Sequence, residues 1–155
     1  MVRVLFVCTG NTCRSPMAEA LLKKKVHEYQ LTDKIVVASA GLAASDGDPA
    51  SLGAKEAMAL RGLSLDEHVA RQLTIAAVEQ ADLILTMTDR HKRGILHTMP
   101  AEANKVYALS EYAACDADIA DPFGGDAMLY RRCADELALR IDGIWDKICN
   151  LARQK

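Results

Sequence analysis

The chain has 155 residues, half of them apolar, 26% charged and a formal net charge of −2. That length suits one domain, residues 1–155, with a substantial buried core. The near-neutral balance gives no reason to expect nucleic acid or an anionic membrane as partner. No run approaches the roughly 18 apolar residues that a membrane span requires, and the N-terminal apolar run is too short for a secretory signal. The expected compartment is the cytoplasm.

In chain order, Val4-Leu5-Phe6-Val7 reads as a buried strand. A helical pattern over 16–29 puts Met17, Leu21, Leu22, Val26 and Tyr29 near one face and leaves Glu19, Lys23, Lys24 and Glu28 to solvent. Lys34–Ala38 is a second strand, Leu83–Met87 a third and Lys105–Leu109 a fourth, each nearly continuous in apolar character, as strands covered on both faces are. Helices are expected over 50–61, ended by Gly62, over 74–80 after a Thr74 cap, and over 89–97 with Thr88 or Asp89 as cap. The longest, about 126–152, repeats Tyr130, Cys133, Leu137, Ile141, Ile144, Trp145, Ile148 and Leu151 at three- or four-residue spacing. This alternation predicts an α/β fold with a mainly parallel sheet between helical layers.

Between the first strand and the first helix lies Cys8-Thr9-Gly10-Asn11-Thr12-Cys13-Arg14-Ser15-Pro16. Five residues between a cysteine and an arginine suffice to wrap backbone N–H groups around a tetrahedral anion, with the helix dipole adding to the field. Cys8 sits at the base of such a ring and Arg14 closes it with its guanidinium fork. The thiolate is the nucleophilic form of a cysteine, and helix N-termini and cations favour it. Ser15 is near enough in sequence to hydrogen-bond the Cys8 sulfur. Taken alone, a C-x₅-R pattern reads as a strand end followed by a tight turn, since the spacing arises often by chance. The preceding strand, the Gly and Asn filling, and Pro16 in the first helical turn favour the anion-binding nucleophile.

The five cysteines, Cys8, Cys13, Cys115, Cys133 and Cys149, show no zinc-type spacing, so neither a metal nor another cofactor is expected. Cys133 and Cys149 read as small core-facing residues of the last helix. A leaving group expelled from phosphorus needs a proton, and Asp121, in Asp118-Ile119-Ala120-Asp121-Pro122-Phe123-Gly124-Gly125, is placed to supply it. Asp116, Asp118 and Asp126 compete for that role, and an Asp-Pro turn capping the last helix is the alternative for Asp121. Phe123 would wall the pocket.

With these motifs in view, the chain resembles the low-molecular-weight protein tyrosine phosphatase family. The matching segments are Val7 through Glu19, Ser39-Ala40-Gly41, His68-Val69-Ala70-Arg71-Gln72, Ala81-Asp82-Leu83-Ile84-Leu85 and Asp121-Pro122-Phe123. The resemblance implies a four-stranded parallel sheet flanked by helices on both faces, a three-layer Rossmann-like sandwich. It also implies Cys8 as nucleophile through a phosphocysteine intermediate, Arg14 as phosphate clamp and Asp121 as general acid. Thr9, Gly10, Asn11, Thr12, Cys13 and Ser15 would form the binding loop, with Asn11 holding its strained backbone and His68 supporting it from behind. A reversible Cys8–Cys13 disulfide is a further implication. Phosphorylated proteins would be the substrates and a phosphate-like oxyanion the loop's ligand.

Thr12 separates the branches. Tyrosine-specific members usually carry a branched aliphatic residue there, whereas a hydroxyl resembles the bacterial protein arginine phosphatase branch. The segment Leu42-Ala43-Ala44-Ser45-Asp46-Gly47-Asp48 has no aromatic to sandwich a phenol, and its two acids suit a cationic substrate. An arsenate reductase would need further cysteines in 75–100, which has none. A non-catalytic phosphoprotein binder would not need both Cys8 and Asp121.

Overall fold

The computed structural model describes residues 1–155. Its elements follow as β1 (Val2–Cys8), α1 (Arg14–Glu28), β2 (Ile35–Gly41), α2 (Leu52–Ala59), α3 (Ile75–Gln80), β3 (Leu83–Thr86), α4 (Asp89–Thr98), a 3₁₀ turn (Pro100–Lys105), β4 (Val106–Ala108), α5 (Leu109–Tyr112) and α6 (Ala127–Arg153). The four strands are all parallel, in the order β2-β1-β3-β4. The expected sheet between helical layers is therefore present.

Strand periodicity decides which way the nucleophile candidate points. Val2, Val4, Phe6 and Cys8 of β1 join the larger core, built with α1, α2 and α6. Leu5 and Val7 face the other way, into a smaller core with Val78 and Ile95 of α3 and α4. With side chains alternating across the sheet, Cys8 emerges on the α1 and α6 side, at the carboxyl end of a central strand. Tyr130, Cys133, Leu137, Ile141, Ile144 and Ile148 on α6 are all buried, at a spacing that keeps one stripe against the sheet.

Several boundaries differ from the sequence expectation. The first helix opens at Arg14, so Pro16 sits in its first turn, where its missing N–H costs nothing. Tyr29 falls just past that helix; it is 58% exposed and its ring lies 5.1 Å from that of Trp145 instead of entering the core. The second strand runs on to Gly41, because Phe6, Val7 and Cys8 pair with Ser39, Ala40 and Gly41. Leu109 leaves β4 to open the short α5, where Glu111 Oε1 accepts from the Ala108 N–H at 3.3 Å. Gly62, with φ +74°, lies beyond the end of α2, where the Leu63 N–H reaches back to the Met58 carbonyl at 2.9 Å. Thr74, Thr88 and Asp126 each cap the helix that follows. Cys133 is buried as expected, whereas Cys149 is half-buried at the core's edge.

Candidate active site

The loop from Cys8 to Ser15 is held by one buried asparagine. Asn11 is fully buried with φ +56°, a left-handed conformation that asparagine tolerates better than most residues. Its amide donates to Ser15 Oγ at 2.8 Å and Ser39 Oγ at 2.9 Å, while its Oδ1 accepts from the Arg71 N–H at 2.9 Å. Ser39 in turn donates to Glu19 at 2.5 Å. His68 Nε2 lies 2.8 Å from the Asn11 carbonyl, the contact through which it would support the loop. The left-handed residue is Asn11 and not Gly10, beside which a Cβ would meet nothing closer than 3.7 Å.

Gly41 is the glycine the loop cannot do without. A Cβ there would lie 2.5 Å from the Thr9 carbonyl oxygen and 3.0 Å from the Asn11 nitrogen. The end of β2 is thus the floor on which the loop rests, fastened by Leu42 N–H to the Cys8 carbonyl and Ala43 N–H to the Thr9 carbonyl, both at 2.9 Å.

Two groups address the Cys8 sulfur, which is buried. Ser15 Oγ is 2.9 Å away and the Asn11 N–H donates to it at 3.3 Å. The amides of Thr9, Gly10, Thr12, Cys13, Arg14 and Ser15 make no hydrogen bond within the protein and so remain free to meet an oxyanion. Cys13 is a free thiol, as is Cys8; its sulfur lies 3.2 Å from Ser51 Oγ and 3.7 Å from the Tyr130 hydroxyl. Thr12 is half-exposed, and its hydroxyl has no partner nearer than Cys13 Sγ at 3.8 Å.

Arg14 is 5% exposed and joins the two halves of the site. Its Nη1 donates to the Ile119 carbonyl at 3.0 Å, and its Nη2 is 3.6 Å from Asp121 Oδ2. Ile119 and Asp121 therefore lie beside the Cys8 loop, with Asp121 exposed. Two of the three competing carboxylates have other work: Asp118 Oδ1 accepts from the Asp89 N–H at 3.0 Å, and Asp126 Oδ1 accepts from the Leu129 N–H at 3.0 Å as the cap of α6. Asp121 does not cap that helix; its Oδ1 accepts from the Phe123 N–H at 3.1 Å in a local turn. Phe123 is 76% exposed, a rim residue and not a packed wall. Asp46 is a fastener of its loop, accepting from the Gln72 N–H at 2.7 Å.

Four contributors went unassigned in the sequence: Ser39, the main chain of Arg71, the Ile119 carbonyl and His91. The first sat inside a segment already singled out, and the next two act through backbone atoms that no side-chain pattern reveals. His91 is 6% exposed, and its Nε2 lies 2.9 Å from Thr9 Oγ1. Burial, followed by the nearby Arg14, depresses its pKa to about 4. A histidine in the first turn of a helix that follows a strand's carboxyl end was the available signal.

The model of the low molecular weight phosphotyrosine protein phosphatase family matches residues 3–154. A protein-arginine-phosphatase of Geobacillus stearothermophilus is 42% identical over 147 residues, covering 94% of this chain and 95% of that protein. A probable low molecular weight protein-tyrosine-phosphatase, EpsP of Ralstonia solanacearum, is 40% identical over 141 residues, with 91% and 90% covered. Among solved structures, a cysteine-to-serine mutant of YwlE arginine phosphatase with a phosphorylated active-site serine superposes with a TM-score of 0.87 at 39% identity, covering 99% of this chain and 95% of that one.

Proposed function

Because the chain belongs to the low molecular weight phosphotyrosine protein phosphatase family and is a cysteine-based phosphatase, we propose that it hydrolyses phosphoarginine in proteins, with Cys8, Arg14 and Asp121 as its catalytic residues. One observation carries the assignment of roles: a single guanidinium, Arg14, bridges the Cys8 loop and the Asp121 loop.

In this reading the phosphoryl group enters the ring of free amides, and the Arg14 fork holds two of its oxygens. The Cys8 thiolate attacks phosphorus in line, the P–N bond breaks, and the Asp121 carboxyl protonates the departing nitrogen. A phosphocysteine and a free, protonated arginine guanidinium result. Water then attacks phosphorus, Asp121 takes its proton, and the S–P bond breaks to release inorganic phosphate and the thiolate. Ser15, 2.9 Å from the sulfur, donates to it both before attack and as it leaves. The relative trapped with a phosphorylated serine in place of its cysteine supports such a covalent step.

Thr12 supports the choice of substrate. Its hydroxyl, unengaged by any strong partner, can accept from a guanidinium N–H or orient the attacking water. An aliphatic side chain there would pack on a phenyl ring instead. The name of the Geobacillus relative points the same way. A tyrosine phosphatase is the second reading, favoured by the exposed ring of Phe123, which offers a face to a phenol, and by the Ralstonia relative.

Side-by-side hydrolysis of phosphoarginine and phosphotyrosine peptides, without added metal, tests the proposal. Phosphoarginine turns over faster on the wild type, and Thr12→Ile moves the ratio towards phosphotyrosine by tenfold or more. An unchanged ratio removes Thr12 as the basis of selectivity, and a wild-type preference for phosphotyrosine overturns the substrate assignment. No helix is long and apolar enough to cross a membrane.

A further inference from the structure

His91 lies outside both catalytic loops and is the one histidine with a buried, unpartnered ring nitrogen. The ring projects from the first turn of α4, whose backbone is fixed by the His91 N–H donating to Thr88 Oγ1 at 3.1 Å. It meets Thr9, the residue next to the nucleophile, at 2.9 Å through Nε2, while Nδ1 is buried without any acceptor or donor. Thr9 itself is exposed, and its carbonyl is held from the opposite side by the Ala43 N–H.

The orphaned nitrogen selects the tautomer. A ring carrying its hydrogen on Nδ1 would bury a donor with nothing to receive it. A ring carrying it on Nε2 leaves only an unshared lone pair at Nδ1, the smaller loss of the two. A doubly protonated ring would bury the same orphaned N–H and add a charge. The charged groups facing the ring are Arg14 and Arg90, which oppose that charge, and Asp118 and Asp121, which favour it; burial outweighs them all.

We infer that His91 is a positioning residue, donating from Nε2–H to Thr9 Oγ1 and so leaving the Thr9 hydroxyl proton free for a ligand at the mouth of the nucleophile loop. The inference rests on the reading of that loop as the phosphoryl site. It gives α4 a function beyond packing: its first turn sets the rotamer of the loop's first residue, as β2 sets its backbone. A histidine that merely filled space could be replaced by any apolar side chain of similar volume without this consequence.

Two measurements test it. In the unliganded wild type labelled with ¹⁵N-histidine, long-range ¹H–¹⁵N spectra should show His91 protonated on Nε2 alone and unchanged between about pH 5.5 and 8, where an ordinary histidine titrates. Turnover of p-nitrophenyl phosphate, a phosphomonoester independent of the phosphoarginine assignment, supplies the second. His91→Leu and Thr9→Val should each lower kcat/KM about tenfold, the order of one lost hydrogen bond. The double variant should be no worse than either. His91→Gln, whose amide nitrogen reaches the position of Nε2, should recover most of the loss, whereas His91→Asn, which reaches only that of Nδ1, should not. An Nδ1–H or imidazolium signature in the spectrum, additive losses in the double variant, or equal rates for His91→Leu and His91→Gln would overturn the inference. Failure of the wild type to prefer phosphoarginine would refute the substrate proposal while leaving the tautomer and the coupling to be read.

Discussion

Replacing Asn11 with alanine removes the member of the site on which most others depend. Three hydrogen bonds disappear at once, those to Ser15 Oγ, Ser39 Oγ and the Arg71 N–H, all at 2.8–2.9 Å. Each net loss is worth about 1 kcal/mol, more where a buried partner is left unpaired. Alanine at φ +56° adds about 1 kcal/mol of backbone cost. Because the three bonds share one side chain they do not sum freely, and about 3–4 kcal/mol is the expected total. For a chain of this size that lowers Tm by roughly 10 °C. Loss of the Ser15 contact also frees the hydroxyl that addresses Cys8, so kcat/KM should fall by about 10²-fold, the scale of a misplaced reacting group. Asn11→Gly separates the two causes: it relieves the backbone and should regain only about 1 kcal/mol of the loss. Calorimetric melting together with steady-state turnover reads all of this. An alanine variant that melts within about 2 °C of wild type and keeps its kcat/KM would refute the assignment of Asn11 as the loop's support.

Other variants address the chemistry directly. Cys8→Ser should abolish turnover yet still be stabilised against heat by inorganic phosphate; loss of that stabilisation would detach Cys8 from the anion site. Asp121→Asn should lower kcat by about 10²–10⁴ on a phosphoarginine peptide. The loss should be smaller on p-nitrophenyl phosphate, whose leaving group needs little protonation, and equal losses on both would deny Asp121 the acid role. His91 makes stability depend on pH in a predictable direction. Its folded pKa of about 4 lies below its ordinary 6.5, so as pH falls the unfolded chain takes up the proton first. The stabilisation is present above pH 6.5 and is lost between there and about 4. After a discount for solvent screening it amounts to about 2 kcal/mol. Urea unfolding of wild type and His91→Gln at pH 7 and 4.5 should show the wild type losing most of that in excess; parallel curves would refute it.

The strand, loop and helix around Cys8 were legible because each signal is local: a β-branched and aromatic run, an Asn-containing turn, a proline in the first helical turn. Residue pattern alone left Asp121 one of four carboxylates and the family resemblance singled it out; in the structure it is set apart by its pairing with Arg14, more than a hundred positions earlier in the chain. Contacts of this reach leave no periodicity to read. The Arg71 N–H and the Ile119 carbonyl are main-chain groups and carry no residue signature at all. His91 was hidden for a different reason: helical spacing counts it as one more position of α4, and only the packing of that helix against the loop shows what its ring touches. Phe123 shows the converse: position in the chain suggested a pocket wall, and only the fold shows its ring standing exposed at the rim.

The strand order has a consequence for how such a protein can change. The proposed nucleophile, Cys8, stands at the end of β1, a strand paired on both sides, so disturbing it means unzipping the middle of the sheet. The proposed proton donor hangs on an irregular segment between α5 and α6, tethered by Arg14, by the Ile119 N–H to the Met87 carbonyl and by Asp118 to the Asp89 N–H, both at 3.0 Å. Opening that segment costs far less than opening the sheet. Substitutions that retune which leaving group is accepted can therefore accumulate in the outer segment while the attacking atom stays insulated from them. Selectivity is the portion of this architecture most free to drift.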